Sequence, residues 1–450
     1  MSKTIVLPPQ APRYRSILRL QRFMKDPIPF MNDNLARYGD TYSFSLRYNK
    51  VNILTVDPDL IQHILRKNVD NYEKPDGSTG ALAQFLGKGL LVATGAEHAR
   101  QRKMIAPVFR PRALSNLTEL MSAELDRYFG EVDGRLEGSP VVTIDDEMRR
   151  LTFRVMCKAI YGDDMDAARM ERFSGRFQTL QAFLTKVVRV PSLMRWYDVN
   201  GKARHYRAIA RDNADDLLEI IAARRSRAPQ DDLLGLLAES RYEDTELGMT
   251  DRQLLEETLI LFVAGHETAA NILSWIFYLL ARHPEAVERI RAEERAVLGG
   301  RRPEFSDLMK MEYLTQVIDE CLRLYPPSWI TDRVAKRDDR YGGFDIPAGA
   351  RVIPFIYGLH HSPKLWTDPE AFDPGRFTME NRKARHNFAH MPFGAGPRMC
   401  IGRHFATMEM KMVVLAMIGR YRFKLVPGQK IAILPAVTLK PRYGIKLELS

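Results

Sequence analysis

The sequence FGAGPRMCIG, residues 393–402, places a cysteine inside a loop that is rich in glycine and contains a proline. Because glycine has no side-chain bulk, backbone N–H groups of such a loop can approach the Cys400 sulfur closely. A helix is predicted from Arg403 onwards, and the partial positive charge at a helix start favours thiolate over thiol. Two interpretations of Cys400 fit the loop about equally well. It is either an axial metal ligand, held as a thiolate on a rigid loop, or a buried structural cysteine in a glycine-rich turn.

The other two cysteines give no sign of chemistry. Cys157 and Cys321 lie in apolar, helical surroundings, so we expect both to be core residues. Zinc or iron–sulfur sites need further Cys or His at short spacing, and the sequence around Cys400 has none. Three cysteines are also too few for a disulfide framework, which predicts a cytoplasmic protein.

The composition is that of a folded globular protein with a sizeable core. The chain has 450 residues, of which 45% are hydrophobic and 27% are charged. These values exclude a disordered chain, a collagen-like fibre and a small disulfide scaffold. The length alone allows one large domain or two to three smaller ones. A net charge of +11 indicates an acidic partner, which could be nucleic acid, an anionic membrane or an acidic protein.

The N-terminal sequence carries no targeting signal that we recognise. Its short apolar stretch is interrupted by Pro8 and Pro9, whereas a membrane anchor needs about 20 apolar residues. We therefore expect a soluble chain without a transmembrane anchor.

Apolar spacing predicts a small β region followed by many helices. Residues 41–56, TYSFSLRYNKVNILTV, are rich in β-branched and aromatic residues and predict a hairpin, and Asp57-Pro58 then begins a helix. From about 96 to 325 the spacing is mostly helical. Residues 251–282 are periodic over roughly eight turns, which predicts a helix that crosses the molecule.

After Pro326-Pro327 the pattern changes to short strands among Pro/Gly loops. Strands are predicted at 333–335 and 351–356, and a last helix is predicted at 403–419 before a strand-rich tail. The expected architecture is therefore mainly α with a minor β region (α+β), in one compact domain.

The cysteine loop resembles the haem-binding signature of the cytochromes P450, the haem-thiolate monooxygenases. Phe393, Gly396, Arg398, Cys400 and Gly402 all stand at motif positions, and other family landmarks follow in order along essentially the whole chain. The resemblance implies the P450 fold over residues 1–450: a single triangular-prism-like haem domain with a long central helix. It also implies haem b as the cofactor, with Cys400 as the axial ligand of the iron.

A second landmark is the pair Glu320 and Arg323 in EYLTQVIDECLRLYPP. Their spacing of three puts them on one helix face, and by itself it fits a surface ion pair. The resemblance implies instead the family's E-x-x-R pair, completed by Arg376 in FDPGRF, where Gly375 replaces the more usual glutamate. Such a buried network is structural and holds the loop around Cys400.

A third landmark lies in the middle of the long helix, at residues 264–268, AGHET. By themselves these residues fit a helix kink with a solvent-facing His-Glu pair. The resemblance implies an oxygen-activation site, in which Gly265 leaves room for dioxygen, the Thr268 hydroxyl donates a hydrogen bond to it, and Glu267 relays protons.

The resemblance also implies cations for the two haem propionates and contacts for a substrate. His98 stands where many members have tryptophan, and Arg102 follows one helical turn later in EHARQRK. Phe393 is a further expected haem contact. The remaining propionate cations are Arg333 and Arg398. The expected substrate contacts are Phe85, Ala264, Ser328 and Ala436.

The activity implied is insertion of one oxygen atom from O2 into an apolar, fatty-acyl or terpenoid-like substrate. No reductase sequence is visible, so we expect electrons from a ferredoxin or flavodoxin with its reductase. Six basic residues are expected to form the docking face: Arg100, Lys103, Arg110, Arg112, Arg403 and Lys411. Nucleic acid is disfavoured because the basic residues are dispersed and no recognition motif accompanies them.

Two other activities fit a haem-thiolate protein. A peroxide-dependent oxygenase or an isomerase is disfavoured by the intact Glu267-Thr268 pair. A non-catalytic haem sensor or electron carrier is disfavoured because no effector domain and no second strong axial ligand are visible.

Overall fold

The computed structural model of the chain describes residues 5–11, 23, 26–45, 51–75, 80–190 and 192–450. Within these residues the helices, numbered along the chain, are α1 (Pro27–Tyr38), α2 (Pro58–Gln62), α3 (Gly80–Leu86), α4 (Gly95–Ile105), α5 (Pro111–Leu114), α6 (Leu117–Leu136), α7 (Ile144–Tyr161), α8 (Ala167–Arg189), α9 (Ser192–Val199), α10 (Lys202–Arg225), α11 (Leu233–Glu239), α12 (Asp251–Arg282), α13 (Pro284–Leu298), α14 (Phe305–Lys310), α15 (Glu312–Leu324), α16 (Ile356–His360), α17 (Met379–Ala384) and α18 (Arg403–Arg420).

The strands are short, and apart from β4 they lie between residues 41 and 73 and between residues 333 and 449. They are β1 (Thr41–Phe44), β2 (Asn52–Thr55), β3 (Tyr72–Glu73), β4 (Val141–Thr143), β5 (Arg333–Ala335), β6 (Asp339–Tyr341), β7 (Phe344–Ile346), β8 (Arg351–Pro354), β9 (Phe423–Leu425), β10 (Ile433–Pro435), β11 (Leu439–Pro441) and β12 (Lys446–Leu449). The prediction of a mainly helical chain with a minor β region is confirmed.

The chain divides into two compact units. The β-rich unit comprises residues 1–75, 319–400 and 433–440, and the helical unit comprises residues 76–318, 401–432 and 441–450. The expectation of a single functional domain over residues 1–450 stays a prediction.

The β-rich unit is built on a five-stranded sheet with the order β1-β2-β8-β5-β3. β1 and β2 pair antiparallel, as the predicted hairpin requires, although its connecting residues 46–50 lie outside the described residues. β2 also pairs in parallel with β8, which places Leu54 opposite Ile353. Asp57 then caps α2 through the Asp59 N–H, with Pro58 in the first turn, as predicted. The sheet thus joins residues 319–400 to the N-terminal strands, because β8 pairs with β2.

The helical unit is organised around α12, which spans the 32 residues predicted from the sequence. Thr250 and Gln253 form a capping box at its start. Among the described residues it is the one helix long and apolar enough to cross a membrane, but 67% of that apolar window is buried inside the protein. Gly265 faces α7 so closely that a Cβ there would lie 2.8 Å from the Met156 sulfur. A larger residue at 265 would require the flexible end of the Met156 side chain to move.

Candidate active site

The loop around Cys400 is held by its own backbone and by one close approach. The Cys400 N–H donates to the Phe393 carbonyl at 2.9 Å, and the Cys400 side chain is exposed. Gly396 has φ +70°, and a Cβ at that position would lie 1.9 Å from the Leu65 carbonyl oxygen. Any other residue at 396 would push the loop off the π-helical turn at His63–Lys67. Glycine in this motif therefore serves backbone packing as well as loop curvature.

Glu320, Arg323 and Arg376 meet in the β-rich unit, away from solvent. The Arg323 Nε and Nη2 donate to Glu320 Oε2 and Oε1 at 2.7 and 2.8 Å, and both side chains are 0% exposed. The Arg376 Nε lies 3.4 Å from Glu320 Oε1, and the Asp373 N–H donates to the same oxygen at 2.9 Å. The helix spacing alone also allowed a surface ion pair, and the observed burial contradicts that interpretation.

Arg323 also satisfies backbone carbonyls of the irregular segment that precedes the cysteine loop. Its Nη1 donates to the carbonyls of His360 and Pro369 at 2.8 and 2.7 Å, and its Nη2 donates to that of Ala371 at 3.1 Å. Carbonyls in a segment without long helices or strands need such donors when they are buried. The buried ion pair therefore fixes this backbone as well as neutralising itself.

A cluster of three cations lies elsewhere in the same unit. Burial is the main cause that lowers the pKa of Lys74 to about 8, and the nearby positive charges of Arg398 and Arg333 lower it further. Burial likewise lowers the pKa of Arg333, and Asp332 opposes that shift. Half-buried like charges of this kind are stabilised by an anion. A haem propionate is such an anion, so the donor set fits the cofactor.

Lys74 was missed from the sequence. It lies in NYEKPD, more than 250 residues before Arg333 and Arg398, and nothing in that stretch signals a ligand. The other two expected propionate cations, His98 and Arg102, both lie on α4 in the helical unit, one helical turn apart. His98 is buried and Arg102 is half-buried.

The middle of α12 carries the expected oxygen-activation residues. The Thr268 hydroxyl donates to the Ala264 carbonyl at 2.7 Å and more weakly to that of Gly265 at 3.3 Å. Glu267 accepts a hydrogen bond at 2.9 Å from Gln181 Nε2 on α8. These contacts orient the Thr268 hydroxyl, about one helical turn from Gly265, and the Glu267 carboxylate, two residues from that glycine.

His266 points away from this group and does not form the solvent-facing pair with Glu267. It is buried, its Nε2 donates to the Arg149 carbonyl at 3.1 Å, and burial lowers its pKa to about 4. Its ring is stacked on Phe262, with centroids 5.9 Å apart. A neutral, packed histidine is thus structural in this fold.

The expected substrate contacts fall into two sets. In the helical unit, Phe85 packs edge to face on Phe183 at 5.2 Å within a buried apolar cluster, and Ala264 is exposed on α12. In the β-rich unit, Ser328 is exposed beside Trp329, whose Nε1 donates to the Ala436 carbonyl at 3.0 Å. That bond brings the segment at 328 next to the one at 436.

The expected docking face needs a correction. Lys411 is 4% exposed and its ammonium donates to the Leu308 carbonyl, so it cannot meet a partner. Its position on α18 buries its stem and head among apolar residues, which the charge alone did not reveal. Arg100 is paired with Asp244 at 3.0 Å and Lys103 is paired with Glu243, so their charges are largely cancelled. The predicted docking face for an acidic electron donor therefore depends on three exposed arginines, Arg110, Arg112 and Arg403.

The sequence model of the cytochrome P450 family matches residues 7–449. The chain belongs to this family. It is a cytochrome P450 monooxygenase, and this membership implies a haem cofactor, dioxygen as a substrate and a redox partner. It is similar to cyclooctat-9-en-7-ol 5-monooxygenase of Streptomyces melanosporofaciens, with 33% identity over 89% of this chain and 86% of the relative.

Further relatives and solved structures agree with that assignment. Cyclooctatin synthase of the same organism is 29% identical over 92% of this chain and 89% of its own length. The 11-oxo-beta-amyrin 30-oxidase of Glycyrrhiza uralensis is 29% identical over 93% and 82%. The crystal structure of the cytochrome P450DA heme domain has a TM-score of 0.88 at 24% identity and covers 99% of this P450 and 98% of that chain, which shows a shared fold.

A first prediction concerns the buried ion pair. Arg323→Leu leaves the Glu320 carboxylate buried without its bidentate partner and three carbonyls without a donor. We expect the free energy of unfolding to fall by about 3–5 kcal/mol, measured by urea denaturation. The control is Arg382→Leu, which removes a more exposed guanidinium paired with Asp319 and should cost roughly 1 kcal/mol or less. Equal losses in both variants would contradict the structural role of Arg323.

A second prediction concerns acid stability. Burial is the main cause that lowers the pKa of His361 to about 4 and holds those of His360 and His390 well below 6.5. The unfolded chain takes up these protons near pH 6.5, so their contribution to stability is full above that pH and is lost as the pH falls toward the folded values. The free energy of unfolding should fall between pH 6.5 and 4, by up to about 1.4 kcal/mol per pH unit for each histidine.

The variant His361→Gln tests the assignment. It should reduce the slope of unfolding free energy against pH by about one proton. The control His205→Gln changes an exposed histidine on α10 and should leave the slope unchanged. If His361→Gln unfolds with the unchanged slope, His361 is not a source of the acid sensitivity.

Proposed function

We propose that this P450 binds haem b through Cys400 and oxygenates an apolar, terpenoid-like substrate with electrons from an acidic ferredoxin or flavodoxin. The observation that carries the proposal is the constrained loop that presents Cys400, exposed, on a backbone fixed by the Phe393 carbonyl and by Gly396. The relatives at 29–33% identity include terpenoid-hydroxylating enzymes, which supports the substrate class. A cytoplasmic location stays a prediction from the low cysteine count.

The chain's own residues would bind and orient the cofactor. Cys400 would ligate the iron as a thiolate, and Phe393 would pack against the ligand loop. The cluster of Lys74, Arg333 and Arg398 would neutralise propionate charge, which would also relieve their mutual repulsion. His98 and Arg102 are proposed as further propionate partners. When bound, haem supplies the redox centre at which dioxygen is activated for insertion of one oxygen atom.

Residues of α12 would manage protons. The Thr268 hydroxyl holds its proton toward the Ala264 carbonyl, and a rotation about its Cβ–Oγ bond would redirect that proton to a new acceptor. Glu267, oriented by Gln181, would accept protons from solvent and pass them on. Gly265 is proposed to leave room for dioxygen on this helix. The pair supports dioxygen chemistry over a purely peroxide-driven reaction.

The substrate contacts proposed here are apolar or small. Phe85 belongs to a cluster with Phe183, Leu184 and Ile260, which would favour hydrocarbon over polar ligands. Ala264, Ser328 and Ala436 are proposed as further contacts.

The decisive experiment is the spectrum of the reduced protein under carbon monoxide. A thiolate-ligated haem gives a strongly red-shifted Soret band, and we expect it in fresh protein reconstituted with haem. Cys400→Ala should abolish the band. The control Cys157→Ala changes a buried core cysteine and should keep it. A wild-type protein that binds haem without this band would refute the proposal.

The proposed electron donor is tested by charge reversal. Arg110 is exposed, so Arg110→Glu should slow reduction by an acidic ferredoxin several-fold at low salt, and the difference should shrink as ionic strength rises. The control Arg211→Glu makes the same change of net charge at an exposed position on α10. Reduction rates that are insensitive to salt, or that fall equally in both variants, would count against a docking face at Arg110.

A further inference from the structure

The loop at residues 87–90, which follows α3, rests on two adjacent carboxyl groups of α12. The Lys88 N–H donates to Glu256 Oε2 and the Leu90 N–H donates to Glu257 Oε2, both at 3.0 Å. The approach is close: a Cβ at residue 87 would lie 2.2 Å from Glu256 Cγ, and a Cβ at residue 89 would lie 2.9 Å from Glu257 Oε2. The sequence Gly-Lys-Gly-Leu is therefore shaped to meet these carboxyls.

The two carboxyls differ in their surroundings. Glu256 accepts from the Arg252 Nε at 2.7 Å, so it has a cationic partner. Glu257 is 2% exposed, and among the described residues the charged group that shifts its pKa is Glu256, which carries the same sign. Burial is the main cause that raises the pKa of Glu257 to about 7, the Leu90 N–H opposes it, and Glu256 adds to it.

Glu257 lines a small cavity that also contains a hydrogen-bond acceptor without a donor in the described part of the chain, the side-chain oxygen of Gln101. Gln101 on α4 turns its Nε2 toward the Lys88 carbonyl at 3.5 Å. Its Oε1 is buried and has no hydrogen-bond partner among the residues that the structure describes. Gln101 and Glu257 both line this cavity, together with Gly89, Met104 and Tyr242. A buried acceptor without a donor is costly, and a carboxylic acid would supply the donor.

We propose that Glu257 and Gln101 form a proton-dependent clamp on the loop at residues 87–90. In the protonated state Glu257 accepts the Leu90 N–H on one oxygen and donates from the other toward Gln101 Oε1, so α12 and α4 hold the loop between them. When Glu257 loses its proton, its carboxylate faces the Gln101 amide oxygen and the two groups repel each other. The clamp positions Phe85 at the end of α3, and its effect on substrate rests on the proposed function of that residue.

The other charged and titratable groups around the clamp do not compensate Glu257. On α4, the Arg100 guanidinium lies 4.0 Å from the Tyr242 ring centroid and pairs with Asp244. Tyr242 lines the cavity, and burial raises its pKa. The Lys88 side chain is exposed, and Arg252 is committed to Glu256. Protonation is therefore the route by which Glu257 loses its charge.

The direction of the pH effect follows from linkage. The clamped carboxyl has the higher pKa, about 7, and a released carboxyl returns to the ordinary value near 4.5. The ratio of clamped to released loop is therefore greatest below the ordinary value. It falls by up to tenfold per pH unit as the pH rises toward 7 and levels off above 7.

Hydrogen–deuterium exchange of the holoenzyme without substrate tests the clamp. We expect the protection factor of the Leu90 amide, corrected for intrinsic exchange, to fall between pH 5 and 7 and to level off by pH 8. Glu257→Gln keeps the shape, accepts the Leu90 N–H and donates to Gln101, so its protection should be high and independent of pH. The control Glu294→Gln replaces another carboxyl whose pKa is raised by burial, on α13, and should keep the wild-type profile.

A flat wild-type profile, or a slope that persists in Glu257→Gln, would overturn the proposal. If Glu257→Gln does not fold, Gln101→Leu takes its place: without the acceptor the slope should become shallower, and an unchanged slope refutes the clamp. The exchange measurement needs no turnover, substrate or redox partner. Its failure is thus distinguishable from a missing carbon monoxide band, which would refute the proposed function instead.

Discussion

The Arg323 guanidinium is the donor on which the irregular part of the β-rich unit depends. Between α16 and the 3-10 turn at Pro374–Phe377 the described backbone has no strand or long helix to satisfy its own carbonyls. Arg323 donates to three of them while both of its charged contacts to Glu320 are completely buried. The ion pair is therefore less a source of net stability than a device that fixes one backbone geometry.

That geometry extends to the cysteine loop through a short series of hydrogen bonds. Arg323 holds the His360 carbonyl, and the His360 Nε2 accepts the Met391 N–H at 2.9 Å. The Met391 carbonyl accepts the Gly394 N–H at 3.0 Å, and Phe393 accepts from Cys400. Because each bond fixes the next stretch of backbone, the position of Cys400 is set by a residue 77 positions earlier in the sequence.

Features whose signal lies within one stretch of sequence could be predicted. The glycine-rich cysteine loop, the 32-residue α12 and the Asp57-Pro58 helix start all belong to this class, because periodicity and capping are local. Burial of Glu320 and Arg323 could not be predicted from their spacing of three, which fits an exposed pair equally well. Only the resemblance to the P450 family indicated it.

Features that depend on tertiary packing were missed or misplaced. Lys74 joins Arg333 and Arg398 only because β3 and β5 pair in one sheet, and no sequence pattern links those positions. Lys411 was expected at the surface because lysine usually is, yet α18 is buried on most sides at that turn. The Glu257 contact had a partial signal, the glycines at 87 and 89, whose meaning depends on what approaches them.

Three sets of charged residues among those that the structure describes have different counter-charges, and each has a different consequence. Glu320 and Arg323 neutralise each other, so the pair is inert and structural. Lys74, Arg333 and Arg398 share one sign and are half-buried, and Asp332 offsets part of their charge, so we propose a haem propionate as the further counter-charge. Among the described residues no cation shifts the pKa of Glu257, so in the proposed clamp a proton is the compensating charge and the contact becomes sensitive to pH. Whether a buried charge is structural, ligand-binding or regulatory is thus decided by which counter-charge the fold supplies.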